Sequence, residues 1–115
     1  MKPIHPLRKD LKSGSVNVLI DGQWGSTGKG KLGAYLGLRN VIDLVACDFQ
    51  PNAGHTIVAQ GHTIVLHTFP SAVVHPSANI CICPTATINL SHFWLEIGAL
   101  SAAGIEVRNR LFIHP

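Results

Sequence analysis

The chain has 115 residues, which suits one domain of common size. Hydrophobic residues make up 46% of it and charged residues only 13%, about half of the usual charged share of about 25%, and this balance fits the doubly buried strands of a parallel sheet. No apolar run approaches the roughly 20 residues that cross a bilayer, and the N-terminus has no apolar signal-peptide core, so no membrane association is expected.

The net charge of +3 owes much to the N-terminus, where four basic residues fall within the first dozen positions. We interpret residues 1–14 as a basic, flexible arm. No aromatic residues are interleaved with these charges, so direct binding of nucleic acid is not expected. The three cysteines are odd in number and sit in apolar contexts, which favours reduced, buried thiols and a cytoplasmic location. They are Cys47, Cys81 and Cys83.

The first predicted elements form a strand, a glycine-rich loop and a helix. Residues 16–20 are a short apolar run rich in β-branched side chains, which predicts a buried strand. Residues 21–31 contain four glycines, and the apolar spacing of residues 32–38 is helical. Strand, glycine-rich loop and helix, in that order, are typical of a phosphate-binding site.

The rest of the chain alternates short apolar runs with one longer helical pattern. Strands are predicted over residues 41–47, 56–59, 63–66, 79–83 and 111–113. A loop is predicted at 51–55, and residues 60–62 read as the glycine-containing turn of a β-hairpin. Ser91 is the expected N-cap of a helix over residues 92–103, with Gly104 ending it in the C′ position.

The fold class that follows is α/β, with a mostly parallel sheet, a P-loop-like strand–loop–helix and an inserted β-hairpin. We assign residues 15–115 to the N-terminal part of a single nucleotide-binding domain. The last apolar run stops at Pro115 with no helix to cover it. An N-terminal fragment of a longer protein is therefore expected.

The loop departs from the G-x-x-x-x-G-K-[ST] pattern at two positions. Gln23 occupies the position of the first glycine, and Gly30 occupies the position of the final Ser or Thr. The physical requirements are still met. Glycines let backbone N–H groups turn towards an anion, and the following helix adds its positive N-terminal end. Lys29 and Lys31 supply mobile positive charge for triphosphate oxygens. We therefore interpret the loop as a phosphate site rather than a simple turn.

Two motifs resemble those of the adenylosuccinate synthetase family. Residues 23–31, Q-W-G-S-T-G-K-G-K, resemble the family's loop Q-W-G-D-E-G-K-G-K, and residues 52–56 match its N-A-G-H-T signature. Residues 65–71 look like its V-L-H-x-x-P-S stretch, and the resemblance runs from about residue 16 to residue 113. It implies a ligase that phosphorylates O6 of a purine monophosphate and then lets the amine of L-aspartate displace that phosphate.

The resemblance also implies roles for individual residues. Lys29 would neutralise charge during phosphoryl transfer, and His55 would be the acid that hydrogen-bonds the transferring phosphoryl group. Ser26 is the third expected catalytic residue, after Lys29 and His55. Together with Asn52 and Ala53, it is expected to face the purine nucleotide. The expected nucleotide contacts are Gly25, Ser26, Thr27, Gly28, Lys29, Gly30, Lys31, Gly54, His55 and Thr56.

Cofactors and partners follow from the same resemblance. Mg²⁺ is expected, held in part by Ser26 and the carbonyl of Gly54, with ATP, dATP or GTP as the phosphoryl donor. A purine nucleoside monophosphate and L-aspartate would be the substrates. The full-length protein would be a homodimer.

Ser26 is the main departure from the family, which has at this position an aspartate that takes the N1 proton of the purine and ligates Mg²⁺. A serine hydroxyl is a poor base at neutral pH, and losing general-base help costs about 10²–10⁴ in rate. Three explanations are open: a 2-amino purine substrate such as dGMP or GMP, ordinary synthesis from IMP with Asp21 or a bound phosphate replacing the base, or an inactive nucleotide-binding fragment.

The first explanation is preferred. The exchange of a carboxylate for a small hydroxyl gives a C2 amine room and an acceptor. A bacteriophage branch of the family carries such a serine and makes N6-succino-2-amino-2′-deoxyadenylate from dGMP, on the route to 2-aminoadenine DNA.

Overall fold

The computed structural model describes residues 14–39 and 41–115, so the predicted basic arm, apart from Gly14, lies outside the described residues. Within these ranges no helix is both long and apolar enough to cross a membrane. The helices and strands are α1 (Lys29–Arg39), β1 (Leu44–Cys47), β2 (His55–Ala59), β3 (His62–Leu66), β4 (Asn79–Ile82), α2 (Leu90–Ala102) and β5 (Leu111–Ile113). Two 3-10 turns complete the set, Ser71–Val74 and Arg108–Arg110.

The strands form one parallel sheet and one separate hairpin. The parallel sheet has the order β1-β4-β5, and β4 is buried at its centre, with Ile80 and Ile82 no more than 1% exposed. The hairpin pairs β2 with β3 in antiparallel register. The predicted α/β class, with its parallel sheet and inserted hairpin, is confirmed.

The hairpin turn is one residue shorter than the sequence predicts. Gln60 and Gly61 both have positive φ, 50° and 79°, which is the type I′ geometry that matches the twist of two-residue hairpins. His62 is therefore not a turn residue but the first residue of β3, paired with Ala59. Ile57 and Ile64 lie opposite one another and face the core.

Helix α2 begins two residues and ends one residue earlier than predicted, with Gly104 in the predicted C′ position. The N-cap is Asn89 rather than Ser91, because extended backbone at Asn89 lets its Oδ1 accept the N–H of His92 at 3.1 Å. At the other end Gly104 adopts a φ of 73° and donates its N–H to Ser101, a C′ glycine of the Schellman type.

The predicted buried strand over residues 16–20 is wrong. These residues belong to no strand and are exposed, Val16 by 91% and Ile20 by 77%. An apolar, β-branched run specifies extended backbone, but burial also needs a neighbouring strand, and none of the described strands pairs with it. For the same reason the predicted strand over 41–47 forms only at Leu44–Cys47, and Val41 is 95% exposed.

Two buried charged side chains fix the bridging segment, residues 67–78, which connects the hairpin to β4. The carboxylate of Glu96, 4% exposed, accepts the backbone N–H groups of residues 67, 68 and 69 at 2.9–3.2 Å. The guanidinium of Arg110, 7% exposed, donates to the carbonyls of Val73 at 2.9 Å and Ala78 at 2.6 Å. The segment is thus held by a buried acceptor at its start and a buried donor towards its end.

Removing the carboxylate of Glu96 should destabilise the fold. Glu96→Ala leaves three backbone N–H groups without their acceptor, and we expect a loss of about 3–5 kcal/mol in the free energy of unfolding. Glu106→Ala is the matched control, since that exposed glutamate accepts one local N–H, and it should cost less than about 1 kcal/mol. Urea denaturation of the purified proteins measures both. Equal losses would contradict the role given to Glu96.

Candidate functional site

The glycine-rich loop ends where α1 begins. Gly25 and Gly28 have φ of 85° and 82°, a left-handed conformation that side chains other than glycine rarely adopt. The carbonyl of Gly28 accepts the N–H of Leu32 at 3.1 Å and so starts the hydrogen-bond ladder of α1. The first N–H groups of α1 have no partner within the helix and, with the positive end of its dipole, suit an anion.

A face of glycines sets the position of α1. Gly30, Gly33 and Gly37 lie on one side of the helix, and that side packs on the 3-10 turn Ser71–Val74. A Cβ at Gly37 would lie 3.0 Å from the Cα of Ala72, so two backbones meet there with no room for a side chain. This contact was not predicted from the sequence, although glycines at positions i, i+3 and i+7 of a helix are a signal for it.

Gly30 brings the two family motifs together. A Cβ at this position would lie 3.1 Å from the Cβ of His55 and 3.2 Å from its Nδ1, with the Oγ of Ser71 also at 3.1 Å. The first turn of α1 therefore packs directly on the first residue of β2. The phosphate loop and the N-A-G-H-T motif, 25 positions apart in sequence at these two residues, meet at this point.

His55 is half-buried beside the loop. The ring of Phe49 meets it edge to face, with 5.3 Å between centroids. Burial, and then the positive charge of Lys29, lower the pKa of His55, while the carboxylate of Asp21 opposes the shift. The imidazole is therefore neutral at pH 7 and has one N–H to donate.

Asp21 closes the loop on itself. The Nζ of Lys29 lies 2.6 Å from Oδ2 of Asp21, and the hydroxyl of Thr27 donates to Oδ1. The ammonium of Lys29, followed by the Thr27 hydroxyl, lowers the pKa of the Asp21 carboxyl. From the sequence alone, Asp21 was one of two possible replacements for the missing base.

Gly54 is held close to β3. A Cβ there would lie 2.6 Å from Cγ1 of Val65 and 3.1 Å from Cε1 of His67, so the turn before β2 needs glycine for close packing. The ring of His67 in turn packs against that of His92, with 4.9 Å between centroids. The backbone of the N-A-G-H-T motif therefore rests on the end of the hairpin.

The remaining predicted site residues are all exposed. The roles given to them in binding and catalysis stay predictions. These residues are Gly25, Ser26, Thr27, Gly28, Lys31, Asn52, Ala53 and Thr56.

The two oxygen donors expected to bind Mg²⁺, on Ser26 and Gly54, would suit an ion held mainly through phosphate. No group of three His, Cys, Asp or Glu side chains that could hold a metal occurs among residues 14–39 and 41–115. Ser26 and the carbonyl of Gly54 offer neutral oxygen atoms, the ligand type that Mg²⁺ takes alongside water and nucleotide phosphates. The residues present therefore fit a metal that arrives with the triphosphate.

Comparison with known proteins finds relatives over most of the chain. The sequence profile described as adenylosuccinate synthetase matches residues 18–115. The adenylosuccinate synthetase of Dictyostelium discoideum is 39% identical over 98 residues, and that of Schizosaccharomyces pombe is 36% identical over 104 residues. These alignments cover 84% and 90% of this chain but 22% and 24% of the two relatives, so the chain spans about a quarter of their length.

A solved structure resembles the chain in three dimensions. It is the cyanophage S-2L succinoaminodeoxyadenylate synthetase (PurZ), bound to dGMP and to dATP as an energy donor. The TM-score is 0.63 and the sequence identity 32%, covering 83% of this chain and 26% of the cyanophage protein.

The glycine face of α1 can be tested by adding one methyl group. Gly37→Ala should lower the free energy of unfolding by about 1–3 kcal/mol, because the new Cβ strikes the backbone at Ala72. Gly98→Ala in α2 is the control: its Cβ meets nothing within 4 Å, so better helix propensity should stabilise the protein by about 0.5–1 kcal/mol. Thermal denaturation reads out the opposite signs. Stabilisation by both changes would disprove the close contact.

Proposed function

Since this chain belongs to the adenylosuccinate synthetase family, we propose that the protein is a ligase that joins L-aspartate to C6 of a 6-oxopurine nucleotide at the expense of a nucleoside triphosphate. The observation that carries the proposal is the contact of Gly30 with His55. It brings the glycine-rich loop that carries Lys29 next to His55, and this arrangement supports a role in phosphoryl transfer to a purine oxygen.

The roles in this reaction follow from the position of each group. The N–H groups at the start of α1 and the ammonium of Lys29 would bind the triphosphate and stabilise the charge that develops as its γ-phosphoryl group leaves. His55 would donate its single N–H to an oxygen of the transferring group. Asn52 and Ala53, in the turn before β2, would border the purine nucleotide.

The preferred purine is dGMP. Ser26 stands in the exposed loop where the family has a carboxylate, and a small hydroxyl leaves space and an acceptor for an amine at C2 of the base. The likeness to a cyanophage protein bound to dGMP supports the choice. The product would be N6-succino-2-amino-2′-deoxyadenylate, and IMP is the second candidate, supported by the adenylosuccinate synthetases among the relatives.

The remaining parts of the proposal concern the whole protein. ATP, dATP or GTP would be the phosphoryl donor, and Mg²⁺ bound with it would offset phosphate charge. We further propose a homodimer located in the cytoplasm.

A direct comparison of substrates tests the proposal. The full-length protein is incubated with L-aspartate, Mg²⁺ and ATP, dATP or GTP, together with dGMP, GMP or IMP in separate reactions, and succinylated nucleotide is measured by chromatography. We expect turnover with dGMP to exceed turnover with IMP. Activity confined to IMP would overturn the substrate assignment, and no activity with any nucleotide would overturn the ligase assignment.

Position 26 should control the choice of purine. Ser26→Asp restores a carboxylate that competes for the space of a C2 amine, so we expect the ratio of kcat/KM for IMP to that for dGMP to rise about tenfold or more, the effect of roughly 1–3 kcal/mol at one substrate contact. Ser91→Asp makes the same change at an exposed position in the first turn of α2 and should leave the ratio unchanged. An unaltered ratio in Ser26→Asp would rule out a role of this position in purine selection.

A further inference from the structure

Position 26 of the loop carries no carboxylate, but a carboxylate from outside the Q-W-G-S-T-G-K-G-K motif lies against the loop. Asp21 precedes the glycine-rich turn, and the backbone folds so that its carboxylate reaches Lys29 at 2.6 Å and the hydroxyl of Thr27. Its side chain remains 30% exposed, so it is open to a ligand in the same loop. Asp21 and His55 also influence each other's charge across the first turn of α1.

We propose that Asp21 is the proton-accepting carboxylate of this site: it holds Lys29 while no nucleotide is bound and, once a triphosphate takes Lys29, it accepts the N1 proton of the 6-oxopurine. The inference rests on the proposed ligase function and adds a catalytic residue to it. The same assignment holds whether the purine is dGMP or IMP, because both carry a proton at N1.

Among the described residues, none of the other carboxylates forms an ion pair with a lysine of the loop. Glu96 is buried and saturated by backbone N–H groups, and Asp48 is bonded to Thr85 beyond the ends of β1 and β4. Asp43 precedes β1 and Glu106 bonds its neighbour's N–H. Asp21 is the carboxylate among residues 14–39 and 41–115 that is paired with a lysine of the loop.

The ion pair with Lys29 explains how a weakly basic carboxylate becomes a useful base. In the structure the ammonium of Lys29 is the main cause of the lowered pKa of Asp21. A bound triphosphate carries several negative charges and draws Lys29 to its oxygens. Asp21 then loses its strongest stabilising contact and its proton affinity rises. Proton transfer is thereby tied to the presence of the phosphoryl donor.

In the proposed step, proton transfer to Asp21 accompanies phosphoryl transfer to O6. The N1–H bond of the purine breaks and its proton goes to the Asp21 carboxylate, while the electron pair shifts through C6 to O6. O6 forms a bond to the γ-phosphorus, the bond from that phosphorus to the bridging oxygen breaks, and its electron pair leaves with the nucleoside diphosphate. The products of the step are the 6-phosphoryl purine, the diphosphate and a neutral Asp21.

Asp21→Asn separates this role from a structural one. Loss of the competing ion pair should tighten ATP binding by up to about fivefold, the scale of an exposed ion pair, as measured by titration calorimetry. Loss of the base should lower kcat by about 10²–10⁴. Binding and turnover thus change in opposite directions, whereas a merely disordered loop would weaken both.

A matched control and a rescue complete the test. Asp43→Asn removes an exposed carboxylate outside the loop and should leave both ATP affinity and kcat as in the wild type. In the double variant Asp21→Asn/Ser26→Asp, a carboxylate returns to the loop, and we expect kcat on IMP to recover at least tenfold over Asp21→Asn alone.

Each remaining outcome has a defined meaning. An Asp21→Asn protein that turns over like Asp43→Asn, or one that binds ATP more weakly than the wild type, would overturn the inference while the ligase function stands. A wild-type protein without ligase activity on dGMP, GMP or IMP would overturn the proposed function and the proton-accepting role with it. If the ATP affinity of Asp21→Asn equalled that of the wild type, competition between Asp21 and the triphosphate for Lys29 would be refuted.

Discussion

The carboxylate of Glu96 accepts the backbone N–H groups of three successive residues at the start of the bridging segment, and the candidate site depends on this contact. The segment has little regular structure, so side chains must satisfy its backbone groups. The guanidinium of Arg110 likewise donates to two carbonyls of the bridging segment. Both charged groups come from the α2–β5 part of the chain, which thereby fixes the surface on which α1 rests.

The glycine face of α1 transmits that position to the site. Gly37 and Gly33 bring the helix onto the bridging segment, and Gly30 brings its first turn onto His55. A single helix thus links the buried core to an exposed loop. The core and the loop are therefore coupled through this helix, whose closest contacts are those of Gly37 with the backbone at Ala72 and of Gly30 with the side chains of His55 and Ser71.

Lys29 organises the charges of the site. Its ammonium favours the charged form of Asp21 and disfavours the charged form of His55, so it lowers the pKa of both groups. The resting arrangement is an ion pair beside a neutral imidazole. A ligand that attracted the lysine would change the proton affinity of both neighbours at once.

The sequence by itself determined what depends on a few neighbouring residues: the glycine-rich loop before α1, the two α-helices, the hairpin, and the glycine that ends α2. Only the tertiary structure decided that residues 16–20 lack a strand partner, that Asp21 reaches Lys29, and that Glu96 serves backbone groups 27–29 positions away. The physical reason is the distance along the sequence over which each kind of interaction acts. Turn chemistry, capping and side-chain periodicity act over a few residues, whereas strand partners, close helix contacts and ion pairs depend on which distant surfaces pack together.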